Sequence, residues 1–120
     1  MKTIYPTEHE EQVALFEWAS YLYNQYPVLK LMFAIPNGGL RNIKTAINLK
    51  KEGVKAGVPD IFLPFSSKGY HGLFIEMKRH GNKPQDNQIE WMKDLCFEKY
   101  KCIVSYNWSE AKDLIIDYIS

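Results

Sequence analysis

Two apolar runs, DIFLPF at 60–65 and GLFIEMK at 72–78, are joined by the turn-forming SSKGYH, and each run carries a single acid. Their length and composition read as two strands of an antiparallel hairpin. A turn symmetric about Lys68 sets Asp60 opposite Glu76, Phe62 opposite Phe74 and Pro64 opposite Gly72. Alternation puts Phe74, Glu76 and Lys78 on one face of the sheet and Leu73, Ile75 and Met77 on the other. Both acids then share a face with Cβ atoms about 5 Å apart, where like charges repel unless a cation lies between them. A hard divalent ion that takes oxygen ligands, Mg²⁺ or Mn²⁺, is the natural occupant. Lys78 follows about 6 to 7 Å farther along the strand. Its ammonium is placed to hold a water or to stabilise charge developing on a phosphate. A plainer reading makes IEMK a strand with one solvated face and Asp60 a turn residue after Pro59. Phe74 argues against it, because a face carrying a phenylalanine beside Glu76 calls for a covering helix.

The flanking segments offer such covers. Thr7 followed by Glu10 has the form of a capping box and opens a helix over 8 to about 26. Steps of three and four align Glu8, Gln12, Leu15, Ala19, Leu22 and Tyr26. This helix is therefore expected over the carboxylates, with an acid heading its buried stripe. The helix macrodipole accounts equally well for Glu8, Glu10 and Glu11; position on the stripe favours Glu8 over Glu11 as a third metal-site acid. After Pro27, LKLMFAI alternates as a strand and PNGG breaks it. A short helix follows over about 42–52, with Ile43, Ala46 and Ile47 as apolar contacts and Gly53 as its stop. Pro84 opens a third helix that aligns Gln88, Trp91, Leu95 and Lys99. CIVSY is a fourth strand, and Ser109 caps a last helix turning Ala111, Leu114, Ile115 and Tyr118 inward. The order α, β, α, β, β, α, β, α describes an α/β sandwich, a mixed sheet flanked by helices.

With 120 residues, 46% of them hydrophobic, the chain fits a single domain over 1–120. No run approaches the roughly 18 apolar residues of a membrane span, and MKTIYPTEHEEQ lacks the apolar centre of a signal peptide. A cytoplasmic protein with no membrane partner is expected. Cys96 and Cys102 have no companions at zinc-site spacing and read as buried, reduced thiols. His9, His71 and His80 share no ligand spacing. A net charge of +1 does not announce a nucleic-acid binder, so a basic surface has to come from clustering. Arg41, Lys44, Lys50, Lys51 and Lys55 stand against Glu52 alone, and Lys78, Arg79, His80 and Lys83 form a second group. Such patches track phosphates, although a solvated helix face suffices for Lys50 and Lys51. The stronger candidates for DNA contact are Asn37 and Arg41 on the loop PNGGLR, with Lys44, Lys55, Arg79 and Lys83.

Taken in order, GVPDIFLP, GLFIEMKR and PQDNQIEWMKDL resemble the VRR-NUC family of the PD-(D/E)xK nuclease superfamily. TEHEEQVALFEWA and AIPNGGLR resemble the opening motifs of its phage and bacterial members, so the likeness covers nearly the whole chain. It implies the restriction-endonuclease-like fold and hydrolysis of DNA with Mg²⁺ or Mn²⁺ as cofactor. Carried over residue by residue, Asp60, Glu76 and Glu8 are the metal-site acids, Lys78 the catalytic lysine, and Gln88 the glutamine that follows the core motif. The small stand-alone members look like homodimeric resolvases of four-way (Holliday) junctions, in a phage or bacterial setting, and a chain without a flap-recognition domain matches them best. The expected function is a metal-dependent, structure-specific endonuclease acting on branched DNA as a homodimer. The alternatives are a flap, nicking or restriction-type nuclease on the same fold, and a DNA-binding module without the chemistry. The intact PD and ExK speak against the last.

Overall fold

Thr7 and Glu10 cap the first helix reciprocally. The Thr7 hydroxyl accepts from the Glu10 amide at 3.1 Å, and the Glu10 carboxylate accepts from the Thr7 amide at 3.2 Å, which opens α1 at Glu8–Tyr21. The computed structural model describes residues 4–36 and 42–120. In it α1 ends earlier than its apolar stripe suggests, and Pro27 heads a 3₁₀ helix, Pro27–Leu31, where its missing N–H is no loss. Only Phe33–Ala34 remains as strand β1. The expected strand over LKLMFAI is thus mostly a 3₁₀ turn, because the buried residues are Leu29 and Met32, three apart as that helix requires.

Helix α2, Ile43–Lys51, is capped by Asn42, whose side-chain oxygen accepts from the Thr45 amide at 2.8 Å, and Gly53 follows it at φ +99°. Its apolar residues were expected to pack, yet Ile43 is 79% and Ile47 49% exposed. Helical spacing shows that a face is apolar, and leaves open whether anything covers it.

Strands β2, Ile61–Leu63, and β3, Leu73–Met77, pair antiparallel with Ile61 opposite Ile75, Phe62 opposite Phe74 and Leu63 opposite Leu73. This is the register expected from a turn about Lys68, which adopts a left-handed φ of 52°. Strand β1 pairs antiparallel with β2. Helix α3, Asp86–Phe97, crosses over so that β4, Lys101–Ser105, can join β3 in parallel. The sheet order is β1-β2-β3-β4. Helix α4, Trp108–Ile119, is capped by Asn107, whose side chain accepts from the Glu110 amide at 2.7 Å. Asn107 has the extended backbone a cap needs, so Ser109 falls inside the helix. No helix among the described residues is long and apolar enough to cross a membrane.

The core joins Leu15 and Ala19 of α1 and Ala111, Ile115 and Tyr118 of α4 to Ile61, Leu63, Leu73, Ile75 and Met77 of the sheet. Helices α1 and α4 therefore pack on the aliphatic face, and the expectation that α1 covers the Glu76 face is overturned. The buried stripe of α1 is Glu11, Leu15 and Ala19, headed by Glu11 and not by Glu8. Glu11 is accommodated because its carboxylate accepts from the Trp108 amide at 2.6 Å, filling one of the unmet N–H groups at the start of α4.

The Glu76 face is covered by α3. Gly57, at φ +91°, lies so close beneath this helix that a Cβ would stand 2.9 Å from Trp91 Cδ1 and 3.0 Å from the Asn87 carbonyl oxygen. Gly57→Ala combines a left-handed strain with a backbone clash and is expected to cost about 1–3 kcal/mol. Urea unfolding checks this; an unchanged midpoint would show that α3 does not seat on this loop.

Candidate active site

Asp60 stands one residue ahead of β2, where the β2 and β3 register carried past Ile61 and Ile75 brings it opposite Glu76. Its carbonyl oxygen accepts from the Ile35 amide at 2.7 Å, and its Oδ2 accepts from the Met77 amide at 2.9 Å. The residue is thus held on both sides, its main chain by Ile35 at the end of β1 and its carboxylate by the β3 backbone. Glu76 lies near the end of β3 and is 2% exposed. Gln88 Nε2 donates to Glu76 Oε1 at 3.0 Å, while Gln88 Oε1 accepts from the Gln85 amide at 2.7 Å. The opening turn of α3 therefore aims the amide that steadies Glu76. Lys78, 7% exposed, places Nζ 3.9 Å from Glu76 Oε1. Its own amide donates to the Ser105 carbonyl at 2.8 Å, which extends the pairing with β4 and keeps Lys78 on the face of Glu76.

Glu8 reaches this group from the strand end. Its Oε1 accepts from the Arg79 amide at 3.3 Å, and its charge is felt by both Asp60 and Glu76. Glu11 points instead to α4, so among the acids of the first turn it is Glu8 that borders the pair.

Burial pushes the Glu76 carboxyl up to about 8; the Asp60 charge adds to the rise and Lys78 opposes it. Asp60 is also raised, first by burial, with the Met77 amide opposing and the Glu8 charge adding. The two carboxyls are close enough to share a proton. Glu76 Oε2 is buried with no hydrogen-bond donor among the described residues. A bare buried oxygen beside a second acid calls for a proton or a cation. Asp60 and Glu76 fit the latter as oxygen ligands. Among the described residues no three His, Cys, Asp or Glu side chains form a ligand cluster; an ion such as Mg²⁺ can be held by one or two carboxylates and keep its waters.

The other candidate residues are more scattered. Asn37 and Arg41 lie outside the described residues. Lys44, Lys55 and Lys83 are exposed. The Arg79 guanidinium donates to the Tyr5 carbonyl at 2.9 Å, and His80 stacks on the Tyr5 ring at 4.0 Å. This part of the second basic group thus fastens the segment ahead of α1. Cys96 is exposed and Cys102 half-buried, so the expectation of two buried thiols fails; Cys96 falls outside the buried stripe of α3. The Gln85 to Gln88 contact was open to discovery as a capping box with glutamine at its third position, whereas nothing in the sequence marks Tyr5.

The raised Glu76 carboxyl sets a direction for stability. Its folded value of about 8 lies above the ordinary 4.5, so the folded chain holds an extra proton between these limits. The stabilisation is complete below the ordinary value and is lost as pH rises through the folded one. In chelator, the Tm of the wild type is expected to fall from about pH 5 to about pH 9. Glu76→Gln, which cannot ionise, should flatten that fall and melt higher than the wild type at the alkaline end. A wild-type Tm that climbs across this window would contradict the buried pair.

The VRR-NUC domain family matches residues 6–107. A solved structure described as a VRR_NUC domain protein overlays it with a TM-score of 0.81 and 28% sequence identity, over 97% of this chain and 90% of that one. No curated protein matches. The family match runs from just before the Thr7 cap of α1 to the Asn107 cap of α4 and includes Glu8, Asp60, Glu76, Lys78 and Gln88. A mixed four-stranded sheet between helices, overlaid almost end to end on that structure, makes the protein a member of the VRR-NUC family, with the restriction-endonuclease-like fold and a function of the nuclease type.

Proposed function

We propose that the protein is a metal-dependent endonuclease that hydrolyses DNA phosphodiesters, with four-way junctions as preferred substrate and a homodimer as working form. The observation that carries this reading is the Asp60 and Glu76 pair, with one buried Glu76 oxygen that has no donor among the described residues and Lys78 Nζ 3.9 Å from the other. Held between the two carboxylates, Mg²⁺ or Mn²⁺ would supply Lewis acidity to the phosphate and make a water more acidic. Gln88 occupies Glu76 Oε1 and leaves Oε2 to the site. Lys78 meets the negative charge that grows on the phosphate oxygens. Glu8, anchored at the Arg79 amide, is the third acid beside the pair. Water is the nucleophile. Lys44, Lys55 and Lys83, with Asn37, Arg41 and Arg79, track the DNA backbone. Each chain has one Asp60, Glu76 and Lys78, whereas a junction must be cut on two opposing strands. A two-fold dimer provides the second set in matching orientation.

Labelled junction, flap and linear duplex, each with Mg²⁺, Mn²⁺ or chelator, separate the substrates. Cleavage of the junction alone, lost in chelator, is expected; preference for the flap or the duplex would overturn the junction reading. Asp60→Asn and Glu76→Gln should each lower cleavage by at least about 100-fold while sparing junction binding. Lys78→Ala should lower the single-turnover rate by about 10²–10³ with metal affinity retained. A variant at either acid that cuts at the wild-type rate would remove the pair from catalysis.

Lys44→Ala should weaken junction binding and flatten its log–log salt dependence by about 0.9 for a lost phosphate contact. An unchanged slope would return Lys44 to a merely solvated helix face. Sedimentation on junction DNA checks the assembly: a monomer that cuts both strands would defeat the dimer.

A further inference from the structure

Cys96 and Cys102 take no part in the site described above. Cys102 is the second residue of β4 and pairs in parallel with Phe74, so its side chain leaves the sheet on the face that α3 covers. Cys96 lies in the last turn of α3. The chain between them turns back tightly, with Lys99 at φ 68°, its amide on the Cys96 carbonyl at 3.0 Å and the Tyr100 amide on the Leu95 carbonyl at 3.0 Å. The turn brings both thiols to one groove, lined by Ile89, Met92, Lys93, Cys96, Phe97 and Cys102. Burial, and after it the neighbouring Cys96 thiol, push the Cys102 thiol up to about 12. Cys96 is exposed, so a reagent reaches it first.

We propose that Cys96 and Cys102 form a redox-active dithiol that closes to an intramolecular disulfide by exchange with a small-molecule disulfide of the glutathione class. The Cys96 thiolate attacks one sulfur of the small disulfide, forming a mixed disulfide and releasing a small thiol that takes the Cys96 proton. The Cys102 sulfur then attacks the Cys96 sulfur and releases the second small thiol, which takes the Cys102 proton. Two protein thiols are oxidised to one S–S bond and one small disulfide is reduced to two thiols. The bond ties the last turn of α3 to the start of β4. These two elements bracket Glu76, through Gln88 on one side and Val104 on the other.

The test uses the reduced full chain incubated with oxidised glutathione and read by intact mass, thiol counting and non-reducing electrophoresis. The expected product has lost two hydrogens and both thiols together, stays a single chain, melts at a higher Tm because the link restricts the unfolded chain, and reverts in dithiothreitol. Cys102→Ser should stop at one glutathione on Cys96. A wild type that stays unreacted, keeps bound glutathione without closing, or links only between chains would overturn the proposal. So would a closed form with a lower Tm, since its sulfurs would have been dragged together. These outcomes are read on the wild type, so they stand even if the variant fails to fold.

Discussion

Placing Glu76 beside Asp60 under a helix is the constraint on which the rest of the molecule turns. Burial disfavours the ionisation of both carboxyls there, and the Asp60 charge further disfavours that of Glu76. The fold answers with directed contacts: the Met77 amide on Asp60, the Gln88 amide on Glu76 and the Lys78 ammonium nearby. One oxygen of Glu76 is left without a donor among the described residues. An apolar pair of similar size would often pack there at no greater cost, so on the proposed reading the two acids are present for what they bind.

The two faces of the sheet divide the work. Leu73, Ile75 and Met77 meet α1 and α4 in an aliphatic core, which carries most of the hydrophobic stabilisation. The opposite face holds Phe62 and Phe74 stacked at 4.3 Å, then the carboxylates and Lys78 toward the strand ends. Helix α3 serves both purposes there. Its Trp91 seats over Gly57, and the glutamine that closes its capping turn reaches Glu76.

Much of the site was legible because hairpin register follows from turn symmetry and from period-two alternation. Lys68 as the turn centre was enough to bring Asp60 and Glu76 together. The N-terminal part was harder to read. Glu8 and Glu11 differ by less than one helical turn, and only the contact between Glu11 and the Trp108 amide, 97 residues away in sequence, separates a capping acid from one that borders the site. The same contact ties the buried stripe of α1 to α4 on the aliphatic face of the sheet. Leu29 and Met32 follow a 3₁₀ period where the local pattern suggests a strand, and Ile43 and Ile47 have an apolar spacing yet stay exposed among the described residues. In each case the missing information is long-range and cannot be held in a local pattern.

The central claim is that the Asp60 and Glu76 pair exists to hold a divalent cation. Calorimetric titration with Mn²⁺ tests it without DNA and without turnover. Saturable binding by the wild type, retained in Lys78→Ala and lost in both Asp60→Asn and Glu76→Gln, is the predicted result. Failure of the wild type to bind, or wild-type affinity in either neutralised variant, would contradict it.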